Sequence, residues 1–277
     1  MTELVFLGTG GGRFMLVTQR KATAGFRLHT ENFKIHVDPG SGALVRTLQQ
    51  RLNPQDVNCI IVTHCHPDHS ADTAPMVEAM CNGMTKKRGT LIVSHSLMKG
   101  DLEEGEGGPV IGNYHFGQTG KSIVGKAGNT IELEENGEKL SIELIRTKHN
   151  DPSGFGIKIK TGNKTIGYTS DTSYFEELPN LYKGCDVLIM NATRPAGARI
   201  NWHLCVDDVI EMMKIAKPRM AILTHIGLKF VNEGVMNGVR QIEKETGIVT
   251  IAAEDGMKLN IDESLSKLKQ TSLSKFK

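Results

Sequence analysis

Within six residues, His64-Cys65-His66-Pro67-Asp68-His69 assembles three imidazoles and one carboxylate. Imidazole nitrogen and carboxylate oxygen bind divalent first-row metals at centres that keep a coordination position open. Four such groups so close together cannot all face one ion from a regular strand or helix. On a tight loop they divide. His64 and His66 turn toward one ion, and Asp68 and His69 turn toward a second. Two divalent cations a few ångströms apart lower the pKa of a shared water toward ~7 and neutralise charge on substrate oxygens. The competing reading is a polar surface loop carrying histidines by chance.

Such a loop needs a rigid element before it, and Cys59 to Val62 reads as a short buried strand delivering Thr63 and the cluster. Ala71 to Met80 reads as the helix that follows. Upstream, Glu3 to Leu7 is a strand entering Gly8-Thr9-Gly10-Gly11-Gly12. A dinucleotide fingerprint would need glycine at position 13, which is Arg13, so these glycines instead let backbone approach the site closely. Gly25 to His29 and Phe33 to Val37 form a hairpin. Asp38-Pro39-Gly40 breaks its second strand. Asn136-Gly137 marks another hairpin, between Ile131 to Leu133 and Leu140 to Ile145. Phe155 to Lys160, Thr165 to Thr169, Asp186 to Met190, Met220 to Leu223 and Ile248 to Ala252 read as strands. Tyr174 to Leu181, Val206 to Ala216 and Glu233 to Thr246 read as helices.

The run His64 to His69 matches the H-x-H-x-D-H signature of the metallo-β-lactamase fold superfamily, and the chain resembles that family from Leu4 to about Ala253, apart from a glycine-rich insertion at about residues 95–129. The resemblance implies an α/β fold, a four-layer αββα sandwich, forming a single domain over residues 1–262. It implies a dinuclear metallohydrolase whose pattern continues with a later histidine, a bridging aspartate and a final histidine. His149, Asp171 and His225 stand in that order at predicted strand ends. The implied ligand set is His64, His66 and His149 for one ion and Asp68, His69 and His225 for the other, with Asp171 bridging. Asp38 is expected to support the metal loop from behind. The ions expected are two divalent metals per chain, zinc first, with manganese, iron or nickel as alternatives.

His203 narrows the resemblance. It precedes a predicted helix, and His225 follows about twenty residues later. This placement is similar to the branch containing ribonuclease Z, the transfer-RNA 3′-end endonuclease, and the cyclic phosphodiesterase of phosphonate breakdown. His203 and Asp68 are the expected catalytic residues, with His203 donating a proton to the leaving oxygen. His29, His36, His95 and His115 are expected to be ordinary. Three departures separate the chain from ribonuclease Z: Pro67 in place of glycine, Asn191-Ala192-Thr193 in place of an acidic pattern, and no long basic arm. They favour a small phosphodiester or nucleotide substrate over RNA. The alternatives are a thioester or lactone hydrolase resembling glyoxalase II, a transfer-RNA endonuclease, and a non-enzymatic metal-binding sensor or scaffold.

Composition agrees. The net charge of +2 excludes a strongly basic nucleic-acid wrapper, and one Trp and four Tyr leave little material for base-stacking platforms. Five scattered cysteines (59, 65, 81, 185 and 205) without a C-x-x-C fit a reducing cytoplasm, and Cys65 is a packing residue. No apolar run has membrane length, so a cytoplasmic protein without membrane contact is expected. Residues 95–129 form a glycine-rich insertion with an acidic run (Asp101, Glu103, Glu104, Glu106). It is expected to be irregular and to gate the site through Tyr114-His115-Phe116 or to mediate homodimer contact. Residues 263–277 are expected to be a frayed basic tail.

Overall fold

The computed structural model describes residues 1–100 and 109–274. Two mixed sheets face each other. In the first, β1 (Glu3–Phe6), β2 (Phe26–His29) and β3 (Lys34–Val37) are antiparallel neighbours, and β4 (Cys59–Val62), β5 (Arg88–Val93) and β6 (Thr119–Val124) continue from β3 in parallel. The second sheet repeats this plan. Antiparallel β7 (Thr130–Glu135), β8 (Glu138–Arg146), β9 (Phe155–Thr161) and β10 (Lys164–Tyr168) are followed by β11 (Val187–Arg194), with the short β12 (Leu204–Cys205) beside it, then β13 (Met220–Thr224) and β14 (Val249–Ala252). The last strand, β15 (Lys258–Asn260), returns to pair antiparallel with β1.

Period-two alternation explains the layers. In β4, Cys59 and Ile61 face the core between the sheets, where Phe6, Phe26, Ile142, Ile157, Tyr168 and Ile222 also lie. Ile60 and Val62 face outward and pack with Met76, Val77 and Met80 of the helix Thr73–Met80. On the far face of the second sheet, Leu188, Met190 and Leu223 pack under Val209, Met213, Val239 and Ile242, from the helices Val206–Ala216 and Val235–Thr246. A strand covered on both faces must be apolar throughout, which is why β4 and β13 read as continuous hydrophobic runs. The result is helix, sheet, sheet, helix. All five cysteines are free and buried, Cys65 among them in the outer core of the first sheet.

Three expectations change. The insertion is not irregular throughout, because residues 119–124 are an edge strand of the first sheet and Asn113–Gln118 is a helix. Phe116 packs into the outer core, and His115 Nε2 lies 3.1 Å from Glu78 Oε1 on the helix Thr73–Met80. Tyr114-His115-Phe116 is thus carried by a helix docked on the first sheet's outer layer. The glycines hid a strand whose apolar content is little more than Ile123 and Val124. The acidic run Asp101, Glu103, Glu104 and Glu106 lies outside the described residues. The tail is helical over Ile261–Ser274, because Ile261, Leu265 and Leu268 recur at helical spacing and pack against the inter-sheet core. The helix expected over Tyr174 to Leu181 shortens to Leu178–Leu181. Among the described residues, no helix is long and apolar enough to cross a membrane.

Candidate metal centre

The cluster lies where strands of both sheets end. β4 delivers Thr63 and His64, β8 leads to His149, β10 leads to Asp171, and β13 delivers His225. After His66 the chain turns at once into the short helix Pro67–Ser70, whose first turn carries Asp68 and His69. That turn divides the loop's side chains between two directions.

Asp171 is the hub. Its Oδ2 lies 3.8 Å from Nε2 of His64, 4.0 Å from that of His149 and 3.4 Å from that of His69. The Nε2 atoms of His225 and His203 each lie 3.3 Å from the same oxygen. Asp68 Oδ2 is 3.2 Å from His225 Nε2 and 3.8 Å from His69 Nε2. Ligand atoms 2.0–2.1 Å from a tetrahedral ion stand roughly 3.4 Å apart, so these spacings suit metal coordination. His64, His66, His149 and Asp171 each offer one ligand atom, all within 4.8 Å of one another, and so do Asp68, His69 and His225. A third set, Asp171, His203 and His225, meets the same limit. The structure therefore brings together every candidate site residue named from the sequence.

The donor atoms fit a cation. Nε2 of His64, His69 and His149 is buried with no hydrogen-bond partner, an arrangement that leaves polar atoms costly unless something electropositive binds them. The rings are held from behind. His69 Nδ1 lies 2.9 Å from Asp38 Oδ2, His225 Nδ1 lies 2.9 Å from Thr193 Oγ1, and His64 Nδ1 lies 3.1 Å from Thr63 Oγ1. With Nδ1–H donating to oxygen, Nε2 presents its lone pair to the centre. Burial pushes His149 down to about 3 and holds His64 well below its ordinary value, so both stay neutral as ligands must. Burial would also lower His69, but Asp171, Asp68 and Asp38 outweigh it and hold His69 well above the usual imidazole range. The carboxylates thus demand positive charge at the position where a metal would sit. Burial alone would raise Asp171, yet His225, His69 and His203 hold it well below the carboxylate range.

Further side chains and backbone groups support the cluster from behind. Asp38 also accepts from Thr63 N–H at 2.7 Å, the Thr63 hydroxyl at 2.9 Å and the Tyr168 hydroxyl at 2.8 Å. Asp151 accepts from the Cys65 N–H at 3.0 Å, between two of the loop histidines, and from the Ser96 hydroxyl at 2.5 Å. Asn191 donates from Nδ2 to Asp171 Oδ1 at 2.7 Å, turning the other oxygen to the histidines. The glycine run approaches closely as expected. Gly12 N–H donates to Asp68 Oδ2 at 2.7 Å, and a Cβ on Gly11 would come within 2.1 Å of the His225 ring. Asp38, Ser170, His225 and Trp202 all have left-handed backbone, with φ between 52° and 71°, the kind of strain that collects at functional sites.

Two mixed sheets between helices, with a His and Asp cluster at their strand ends, are the architecture of the metallo-β-lactamase superfamily of metal-dependent hydrolases. The chain belongs to the beta-lactamase superfamily domain family, whose model matches residues 34–226. It is 39% identical over 261 residues to an uncharacterized protein of Methanocaldococcus jannaschii, covering 94% of this chain and 95% of that one. It is 22% identical over 294 residues to the ribonuclease Z of Thermococcus onnurineus, covering 87% and 90%. Among solved structures, the metallo-beta-lactamase fold protein YhfI of Bacillus subtilis is similar at TM-score 0.72 and 20% identity, covering 93% of this chain and 98% of that one. Human short-form tRNase Z is similar at TM-score 0.67 and 16% identity, covering 94% and 99%. A diphosphatase from the PhnP family is similar at TM-score 0.64 and 17% identity, covering 94% and 97%.

Proposed function

We propose that the chain is a metal-dependent phosphodiesterase acting on a small substrate. His64, His66 and His149 would hold one divalent ion, Asp68, His69 and His225 a second, and Asp171 would bridge them. Zinc is the expected metal, with manganese or iron as alternatives. Bound there, the ions would lower the pKa of water and neutralise charge on a phosphoryl group.

The placement of His203 carries this reading. Its Nε2 lies 3.3 Å from Asp171 Oδ2, and its Nδ1 lies 3.2 Å from the carbonyl oxygen of Asn201. Burial lowers its proton affinity, but Asp171 outweighs burial and the net shift is upward. With Nδ1–H donating to that carbonyl, a second proton on Nε2 points into the centre, where a leaving oxygen needs one. Lys148 lines the cavity beside His203 and suits an anionic substrate. A thioester or lactone hydrolase would need neither the acid nor this cation. The ribonuclease Z relative supports phosphodiester chemistry, while the small site and the near-balanced charge of +2 favour a small diester.

Hydrolysis of bis-p-nitrophenyl phosphate and of a diester with a poor alkoxide leaving group tests the reading. Turnover of both is expected. His203→Ala should slow the second by roughly a hundredfold, the scale of a positioned acid, and the first by much less. No turnover of either with the metal-loaded protein would reject the proposal. Tight, steeply salt-dependent binding of precursor transfer RNA would favour the endonuclease instead.

A further inference from the structure

Beside the cluster, and sharing His203 with it, opens a cavity of about 400 Å³. Trp202, Tyr174, Ile200, Lys148 and Arg199 line it. Trp202 is the chain's single tryptophan. Its backbone φ is 71°, in a region that a bulky L side chain rarely adopts. The Trp202 N–H donates to Ser173 Oγ at 2.6 Å, and the Ser173 N–H donates to the Lys148 carbonyl at 2.8 Å. The loop carrying Trp202 is therefore tied to the two loops that carry Asp171 and His149. Arg199 is engaged in an ion pair with the buried Asp208. Lys148 makes no ion pair among the described residues, which leaves one positive charge uncommitted at this cavity.

We propose that this cavity is the leaving-group subsite and that it takes one planar heteroaromatic group of nucleoside size, stacked on Trp202. The proposal rests on the phosphodiesterase reading above. His203 lines the cavity and also stands with Asp171 and His225 in the cluster, so a substrate with its phosphoryl group at the cluster extends its leaving group into the cavity. The volume is at the lower end for small-ligand sites, which suits one base and sugar and excludes a duplex. Every base presents a flat face to an aromatic ring, and one well-placed ring is enough for one base. Scarcity of aromatic residues argues against a platform for long RNA and leaves a single-nucleoside site untouched.

Because Trp202 is the only tryptophan, its emission reports on this cavity alone. The metal-loaded protein is titrated with adenosine 5′-monophosphate, ribose 5-phosphate and inorganic phosphate. Saturable quenching is expected with the nucleotide, and none with the other two at equal concentration. By calorimetry, Trp202→Asn should weaken nucleotide binding about tenfold, the scale of a lost base–aromatic stack, with inorganic phosphate unaffected. Asparagine tolerates the left-handed backbone, so this variant removes the ring without adding strain. Trp202→Phe should retain most of the affinity. Equal quenching by all three ligands, no saturable response to the nucleotide, or unchanged affinity in Trp202→Asn would each overturn the proposal. Both readouts measure binding, so nucleotide capture by a protein that hydrolyses no diester would uphold the stacking site on Trp202 and reject its role as a leaving-group subsite.

Discussion

Nδ1 of His69 lies 2.9 Å from Oδ2 of Asp38, and that one carboxylate also accepts from Thr63 and Tyr168. Asp38 follows directly on β3, in the first sheet, while Tyr168 ends β10, in the second. A single buried carboxylate thus sets the ring orientation of a metal-loop histidine and ties the two sheets together beneath it.

Asp38→Asn keeps the size of the side chain but removes its charge. It should weaken metal binding on the His69 side by roughly ten- to a hundredfold, the usual effect of losing a carboxylate behind a ligating histidine. Competition with a chromophoric chelator measures this. An affinity equal to that of the unaltered protein would show that Asp38 has no part in orienting His69.

Asp171 faces both ligand groups, so its loss should be felt by both ions. Asp171→Ala should lower the stoichiometry at saturation from two ions per chain to one or fewer, read by elemental analysis after titration with zinc and desalting. Asn191→Leu, which removes the amide holding Asp171 Oδ1, should retain both sites with weaker affinity. Two ions retained at full affinity in Asp171→Ala would break the bridging assignment.

Gly11 has no room for a methyl group, because a Cβ there would meet the His225 ring at 2.1 Å. Gly11→Ala should displace that ring and weaken the ion bound by Asp68, His69 and His225 more than the other. Gly12 has open space around its Cα, although its φ of 83° disfavours any side chain. If Gly11→Ala binds two ions as tightly as the unaltered chain, the close approach is not a constraint on the site.

Much of this centre was legible because its ligands sit at strand ends, where short apolar runs stop at a polar group. The runs before His64 and His225 are continuous because β4 and β13 are buried throughout, and a sequence shows that directly; β10, before Asp171, is buried only over its last three residues. Asp151, Asn191 and Thr193 were not legible as supports. Their partners lie 86, 20 and 32 residues away and are fixed only by sheet register. β6 was hidden by its glycine and lysine content, and β15 is only three residues long. Trp202 counted as a scarcity in the composition, and its place in the cavity wall goes with a left-handed backbone that no local pattern announces.

His36 gives a prediction about stability, independent of the metals. Its ring is fully buried, with Nε2 lying 3.0 Å from the carbonyl oxygen of Ala24. Burial, helped by the charge of Arg27, lowers its pKa to about 3. The unfolded chain, with an ordinary imidazole near pKa 6.5, therefore takes up a proton before the folded one does. Stability from this group is full above about pH 6.5 and falls as pH drops toward 3. At pH 5 the loss from His36 alone is about 2 kcal/mol. Urea unfolding of chelator-treated protein at pH 7 and pH 5 should show a loss of stability that is smaller in His36→Gln by about that amount. Gln can still donate to the Ala24 carbonyl but cannot titrate, so the difference between the two proteins isolates the proton. An identical loss in both would place the acid sensitivity elsewhere, in the cluster histidines or His29.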